Sequence, residues 1–201
     1  MAAVTQVVAD TETDAAAISA SLADPDRFAA IYDRYSAMLY RYAFQRVGPE
    51  IADDVVAETF LAAFRGRASY DVGRPDARPW LFGILTRELA AHHRRERARF
   101  HALARSLYDD VQDCPADQVA ARAVADAARG PMAAALAELA PGDRDVLLLV
   151  AWGQLSYDEV AESLNIPQGT VGSRLNRARR KVRRALHMFD PTLIMEEIHE
   201  V

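Results

Sequence analysis

The chain has 201 residues, 51% hydrophobic and 26% charged, which supplies a packed core and excludes a wholly disordered polymer. Cys114 is the only cysteine, so an intramolecular disulfide and a cysteine-based zinc framework are both excluded. Twenty-four basic against 29 acidic residues give a formal net charge of -5, yet residues 1–26 hold five acids and no base, whereas Gln168 to Leu186 hold seven bases and no acid.

Long Ala-rich stretches and few β-branched runs favour an all-α chain over a sandwich or barrel. At roughly 150 residues per domain the length fits one large domain or two small helical ones. No apolar run approaches the roughly 20 residues of a membrane span, and the acidic start does not resemble a secretion signal. A cytoplasmic protein without membrane partners is expected.

Residues 1–26 form an acidic arm, expected to be poorly ordered, with Asp24-Pro25-Asp26 as a turn. From Arg27 to Val47 the residues Phe28, Ile31, Tyr32, Tyr35, Leu39, Tyr42 and Ala43 recur at three- and four-residue steps, the apolar stripe of a helix that Gly48-Pro49 ends. A second helix is predicted from about Glu50 to Arg65, with Val55, Val56, Thr59, Phe60, Ala63 and Phe64 inward and Asp53, Asp54 and Glu58 outward. Gly66 to Pro79 reads as a loop containing Tyr70. A third helix begins near Trp80, buries Leu81, Ile84, Leu85 and Leu89, then turns basic at Arg94, Arg95, Arg97 and Arg99.

These elements define a first domain over 27–101. Residues 102–130 are Ala-rich and acidic, and read as a flexible linker. A second helical domain is expected over 131–186, followed by a tail, 187–201. The acidic arm or the tail is a candidate cover for the basic segment Gln168 to Leu186 in the free protein.

The sharpest local pattern lies between Ser156 and Leu175. Ser156 and Glu159 have the spacing of a capping box, Asn165-Ile166-Pro167 interrupts the helix, and Leu164, Ile166, Val171 and Leu175 supply the contacts that hold a helix-turn-helix. In the second helix Val171, Leu175, Ala178, Val182 and Leu186 form the apolar stripe. This leaves Ser173, Arg174, Asn176, Arg177, Arg180, Lys181 and Arg184 largely outside. Arginine forks onto guanine edges and asparagine onto adenine, and the remaining cations neutralise phosphates.

At this point the chain resembles the extracytoplasmic function group of sigma-70 family RNA polymerase sigma factors. The resemblance rests on Ala52-Asp53-Asp54, Glu58, Phe60, Phe64-Arg65, Arg78-Pro79-Trp80-Leu81, Arg87 and Arg94-Arg95 in the first block. In the second it rests on Gly169-Thr170-Val171, Ser173-Arg174-Leu175 and Arg177-Ala178-Arg179. It implies an all-α transcription initiation factor without enzymatic chemistry or cofactor, with core RNA polymerase, promoter DNA and an anti-sigma protein as partners.

The resemblance further implies that Asp53, Asp54 and Glu58 meet the coiled coil of the largest polymerase subunit, the second domain adding a contact to the flap region. Tyr70, Arg78, Trp80, Arg87, Arg94, Arg95, Arg97 and Arg99 would serve the −10 element, Tyr70 as a stacking platform for an extruded base. Gln168, Thr170, Ser173, Arg174, Asn176, Arg177, Arg180 and Lys181 would read the −35 element. Glu88 departs from the family pattern, since a carboxylate repels phosphate and cannot donate to a base. Ala57, Gly172 and Asn176 depart as well.

Two other readings fit parts of the chain. A stand-alone helix-turn-helix regulator accounts for the second block and leaves the first unexplained. A metal enzyme would draw on Glu88, His92, His93, Glu96 and His101, where Glu88 with His92 and His92 with Glu96 stand one helical turn apart.

Overall fold

Helix follows the three- and four-residue apolar repeats throughout the computed structural model, which describes residues 12–108 and 130–187 and, among them, contains no strand. The all-α class is as expected. The chain divides into two units, Met1–Ala90 and Ala91–Val201.

The first unit contains α1 (Asp14–Ala20), a 3-10 turn at Pro25–Phe28, α2 (Ala29–Val47), α3 (Pro49–Gly66), a second 3-10 turn at Arg67–Ser69, and α4 (Arg78–Tyr108) as far as Ala90. A single residue joins α2 to α3. Gly48 has φ +80°, donates its N–H to Phe44 O at 2.9 Å and accepts from Ala52 N at 3.1 Å, closing one helix and opening the next. Only glycine adopts that backbone freely, and Pro49 suits the first helical position because its missing N–H has no partner there anyway.

The core of this unit is built from Ile31, Leu39 and Tyr42 of α2, Val55, Phe60 and Ala63 of α3, and Leu81, Phe82, Leu85 and Leu89 of α4. The rings of Tyr42 and Phe82 meet edge to face with centroids 5.2 Å apart, the geometry that aromatic quadrupoles favour. Each such large apolar side chain contributes about 1.5–3 kcal/mol by leaving water. Tyr32 departs from its expected place: it is 52% exposed, with its ring leaning on Phe60 at 4.8 Å.

Two further expectations are corrected. The arm predicted to be poorly ordered is helical from Asp14. Thr13 caps α1 by accepting from Ala16 N, and Ala17 and Ile18 are buried. Its acids mislead because their counter-cations lie elsewhere: Arg27 pairs with Glu12 and Arg34 with Asp14. The third helix also continues to Tyr108, past the expected domain edge at 101. The rest of the predicted linker, from 109 to 129, and the tail from 188 lie outside the described residues, as do residues 1–11 of the arm.

The second unit contains α5 (Pro131–Ala137), α6 (Pro141–Ala151), α7 (Tyr157–Leu164) and α8 (Gln168–His187). Helices α5, α6 and α7 all pack on α8, whose Val171, Leu175 and Ala178 are fully buried against a core that includes Val146, Leu149 and Val160. The expected capping box is present: Glu159 N donates to Ser156 Oγ at 3.3 Å and Ser156 N to Glu159 Oε2 at 2.7 Å. Asn165 then stops α7 in the left-handed region with φ +50°, and Ile166 N donates back to Ala161 O at 2.9 Å. Asparagine tolerates that conformation better than most residues, so the turn stays short.

Candidate nucleic-acid interface

On α3 the inward residues occupy one face, so Glu50, Asp53, Asp54, Ala57, Glu58 and Leu61 share the opposite one, all exposed. The result is an acidic stripe beside one apolar side chain, Leu61, which is 39% exposed. An acidic stripe that ends at an apolar side chain suits a cationic protein surface, giving register through charge and adhesion through burial.

Between α3 and α4 the residues 71–76 are all exposed, and Val72 at the turn is 61% exposed. Asp71 shapes the turn, its Oδ1 accepting from Gly73 N at 3.0 Å and its Oδ2 from Arg74 Nε at 3.2 Å. Tyr70 is not the free platform expected from sequence. It is 7% exposed, its ring packs 5.0 Å from that of half-buried Trp80, and its hydroxyl donates to Arg74 O at 2.7 Å. A phenol that gains both an aromatic neighbour and a carbonyl acceptor is better placed inside than in water. Tyr70 therefore supports the loop from below.

Beyond the loop, Arg78 is half-buried, whereas Arg87, Arg94, Arg95, Arg97 and Arg99 are exposed along α4. Arg99 lies 3.4 Å from Glu96, an exposed pair of small worth. Glu88, His92, His93 and Glu96 follow the same helix. Among the described residues no three His, Cys, Asp or Glu side chains converge as a metal site would require.

A partly buried network missed by sequence reasoning, centred on buried Asp14, holds the start of α4. Asp14 accepts from Arg34 Nη1 at 2.6 Å, from the Tyr35 hydroxyl, and from the backbone N of Ala77 at 2.9 Å. The Tyr35 oxygen also lies 2.9 Å from Asp76 Oδ1, which accepts from Arg78 N at 2.8 Å. Burial, followed by the hydrogen bonds and charges of the two carboxylates, pushes the Tyr35 phenol far above its ordinary value, so it remains a donor. The sequence signal was Thr13 before an Ala-rich run, an N-cap pattern; its long-range partners leave no local trace.

On α8 the residues Gln168, Ser173, Asn176, Arg180 and Lys181 are exposed, with Thr170 and Arg174 partly so. Ser173 Oγ donates to Thr170 O at 3.0 Å. The guanidinium of Arg174 lies over Gly142 at the start of α6, where an added Cβ would meet Nη1 at 2.7 Å. Arg177 departs from the expected free base reader. Its Nε and Nη2 donate to the two oxygens of Asp143 at 2.6 and 2.7 Å, and Asp143 is 2% exposed. Those hydrogen bonds, with the charges of Arg177, Arg174 and Lys181, hold the Asp143 carboxyl below its ordinary value against the opposing effect of burial. A buried carboxylate requires such a partner, so Arg177 ties α6 to α8. An acid in the first turn after Pro141 was the available signal.

Known proteins can now be set beside this geometry. The family model Sigma-70 region 2 matches residues 31–99 and the model Sigma-70, region 4 matches residues 129–182. The ECF RNA polymerase sigma factor SigL of Mycobacterium tuberculosis is 34% identical over 175 residues, 86% of this chain and 96% of its own length. SigW of Bacillus subtilis, also an ECF RNA polymerase sigma factor, is 27% identical over 81% of this chain and 90% of its length. Among solved structures, CnrH in complex with the cytosolic domain of CnrY superposes with a TM-score of 0.57 at 27% identity, covering 87% of this chain and 96% of that one.

The chain belongs to the ECF group of sigma-70 family RNA polymerase sigma factors. Among the described residues no helix is long and apolar enough to cross a membrane.

Proposed function

We propose that the chain binds core RNA polymerase, recognises the −35 and −10 elements of a promoter and promotes strand opening at the −10 element for transcription initiation. Family membership and the exposed cations on both α4 and α8 of one polypeptide are the observations that carry this reading. In this reading the region 2-like part spans 27–101 with α1 packed against it, the region 4-like part spans 131–186, residues 102–130, which begin within α4, tether the two, and 187–201 is a tail.

In this reading the α3 stripe of Asp53, Asp54 and Glu58 docks on the coiled coil of the largest polymerase subunit, and the second unit meets the flap region. Residues 71–76 take extruded −10 bases, with Arg78, Arg87 and the α4 arginines on the backbone. Gln168, Thr170, Ser173, Arg174, Asn176, Arg180 and Lys181 face the −35 duplex, and Arg177 orients α8. Strand opening arises from differential binding: contacts available only to separated strands repay the few kcal/mol spent on unstacking. The protein itself makes and breaks no covalent bond.

An anti-sigma protein that covers these surfaces is a further partner of this reading; the similar protein CnrH is solved in complex with a second protein, the cytosolic domain of CnrY. The protein works in the cytoplasm, where its polymerase and template are. A stand-alone helix-turn-helix regulator leaves the first unit and its acidic stripe without a role. In vitro transcription with core enzyme over a promoter library tests the reading: selective starts are expected, and a chain that neither associates with core enzyme nor directs initiation overturns it.

A further inference from the structure

The exposed segment 71–76 hangs between two anchors of different kinds. On its amino side Tyr70 is held by ring packing on Trp80 and by its hydroxyl bond to Arg74 O. On its carboxyl side Ala77 is buried but offers only a methyl group, so its position rests on hydrogen bonds. Asp14 receives the Ala77 N–H, Asp76 receives the Arg78 N–H, and the Tyr35 hydroxyl sits between the two carboxylates. Arg34 balances the charge of Asp14 from α2.

We propose that α1 is a positioning element for strand capture: Asp14, through the Ala77 N–H and the Tyr35 hydroxyl, fixes the carboxyl-terminal anchor of the 71–76 loop. The inference rests on the reading of that loop as the segment that takes −10 bases. A carboxylate is suited to the task, since a charged acceptor holds a backbone N–H about twice as strongly as a neutral one. It also accepts from three donors at once, linking α1, α2 and the start of α4. A helix of seven residues thereby acts on a segment more than fifty positions downstream.

The test uses the full chain carrying Asp14→Asn or Tyr35→Phe. The first replaces one acceptor oxygen by an amide nitrogen at nearly constant shape. The second removes only a hydroxyl and serves if the first does not fold. Amide hydrogen exchange in the free chain should accelerate about tenfold at Ala77 and Arg78 while Val56 and Phe60 keep wild-type rates, because the lost bond is charge-assisted and local. Unchanged exchange at Ala77, or acceleration spread evenly over the unit, overturns the proposal.

The second readout is the ratio of initiation between promoters that differ by one −10 base, measured with reconstituted holoenzyme. The ratio should shrink by about threefold or more in both variants, since ångström displacements of a positioned group cost large factors. A defect that merely lowers the active fraction cancels in the ratio and leaves it unchanged, which overturns the proposal. A wild-type chain with no −10 preference sinks the loop's assigned role and the inference with it. Normal wild-type preference with unchanged variants sinks the inference alone.

Discussion

Arg177 and Asp143 stand 34 positions apart and close a two-pronged ion pair, Nε and Nη2 on the two carboxylate oxygens at 2.6 and 2.7 Å. The folded-state carboxyl titrates below its ordinary value, so its stabilising effect is complete above that value and fades as pH falls through the folded one. The ordinary value is about 3.9. Thermal melts of the wild type should therefore lose stability, as the pH falls below the ordinary carboxylate value, more steeply than melts of Asp143→Asn. Parallel acid profiles would show that the pair adds nothing.

The same pair separates Arg177 from its neighbours on α8. Arg180→Ala and Lys181→Ala should each lower the salt dependence of duplex binding by about one unit of log–log slope, if each side chain neutralises one phosphate. Their melting temperatures should stay near wild type, because both residues are exposed. Arg177→Ala should instead lower the melting temperature by stranding Asp143. Titrations at several salt concentrations together with melts measure both quantities.

For the α3 stripe, Asp54→Lys with Glu58→Lys should weaken binding to core polymerase by about tenfold or more at low salt, and less at high salt. Exposed pairs contribute about 0.2–1 kcal/mol each, and reversal adds repulsion. Folding should be unaffected. Competition binding at two ionic strengths checks this, and an unchanged affinity removes these acids from the interface.

The helix-turn-helix turn offers a backbone test. Asn165→Gly should hold or slightly raise stability, whereas Asn165→Val should cost about 1–2 kcal/mol, because a β-branched residue resists positive φ. Ser156→Ala, which removes one half of the capping box, should cost about 1 kcal/mol. Denaturant titration of each variant provides the values; equal effects of glycine and valine would contradict the left-handed turn.

How much of this was legible beforehand depended on whether the determinant was local. Helix periodicity placed Val55, Phe60, Leu81, Leu85, Val171 and Leu175 inside, and the Ser156–Glu159 spacing announced its capping box, because both are short-range patterns. Glu12 and Asp14 looked like a solvated arm since their partners, Arg27, Arg34, Tyr35 and Ala77, are far away in sequence. Tyr70 looked free because nothing local reveals a ring neighbour ten positions on. Arg177 sat at the edge of the apolar stripe, where periodicity cannot distinguish a solvent-facing cation from one bent back onto a buried acid. The acidic outer face of α3 was readable because exposure there is simply the complement of the core face.

Three neighbouring helices lean on α8, so the rod that the proposed function sets against the template is also the keel of its unit. Its inward positions, Val171, Leu175 and Ala178, are committed to keeping that unit whole, whereas Ser173 and Asn176 carry no such duty. If α8 reads the −35 element as proposed, promoter preference can be rewritten at the outer rail of the rod without endangering the scaffold, which gives a lineage room to specialise its regulon by few substitutions.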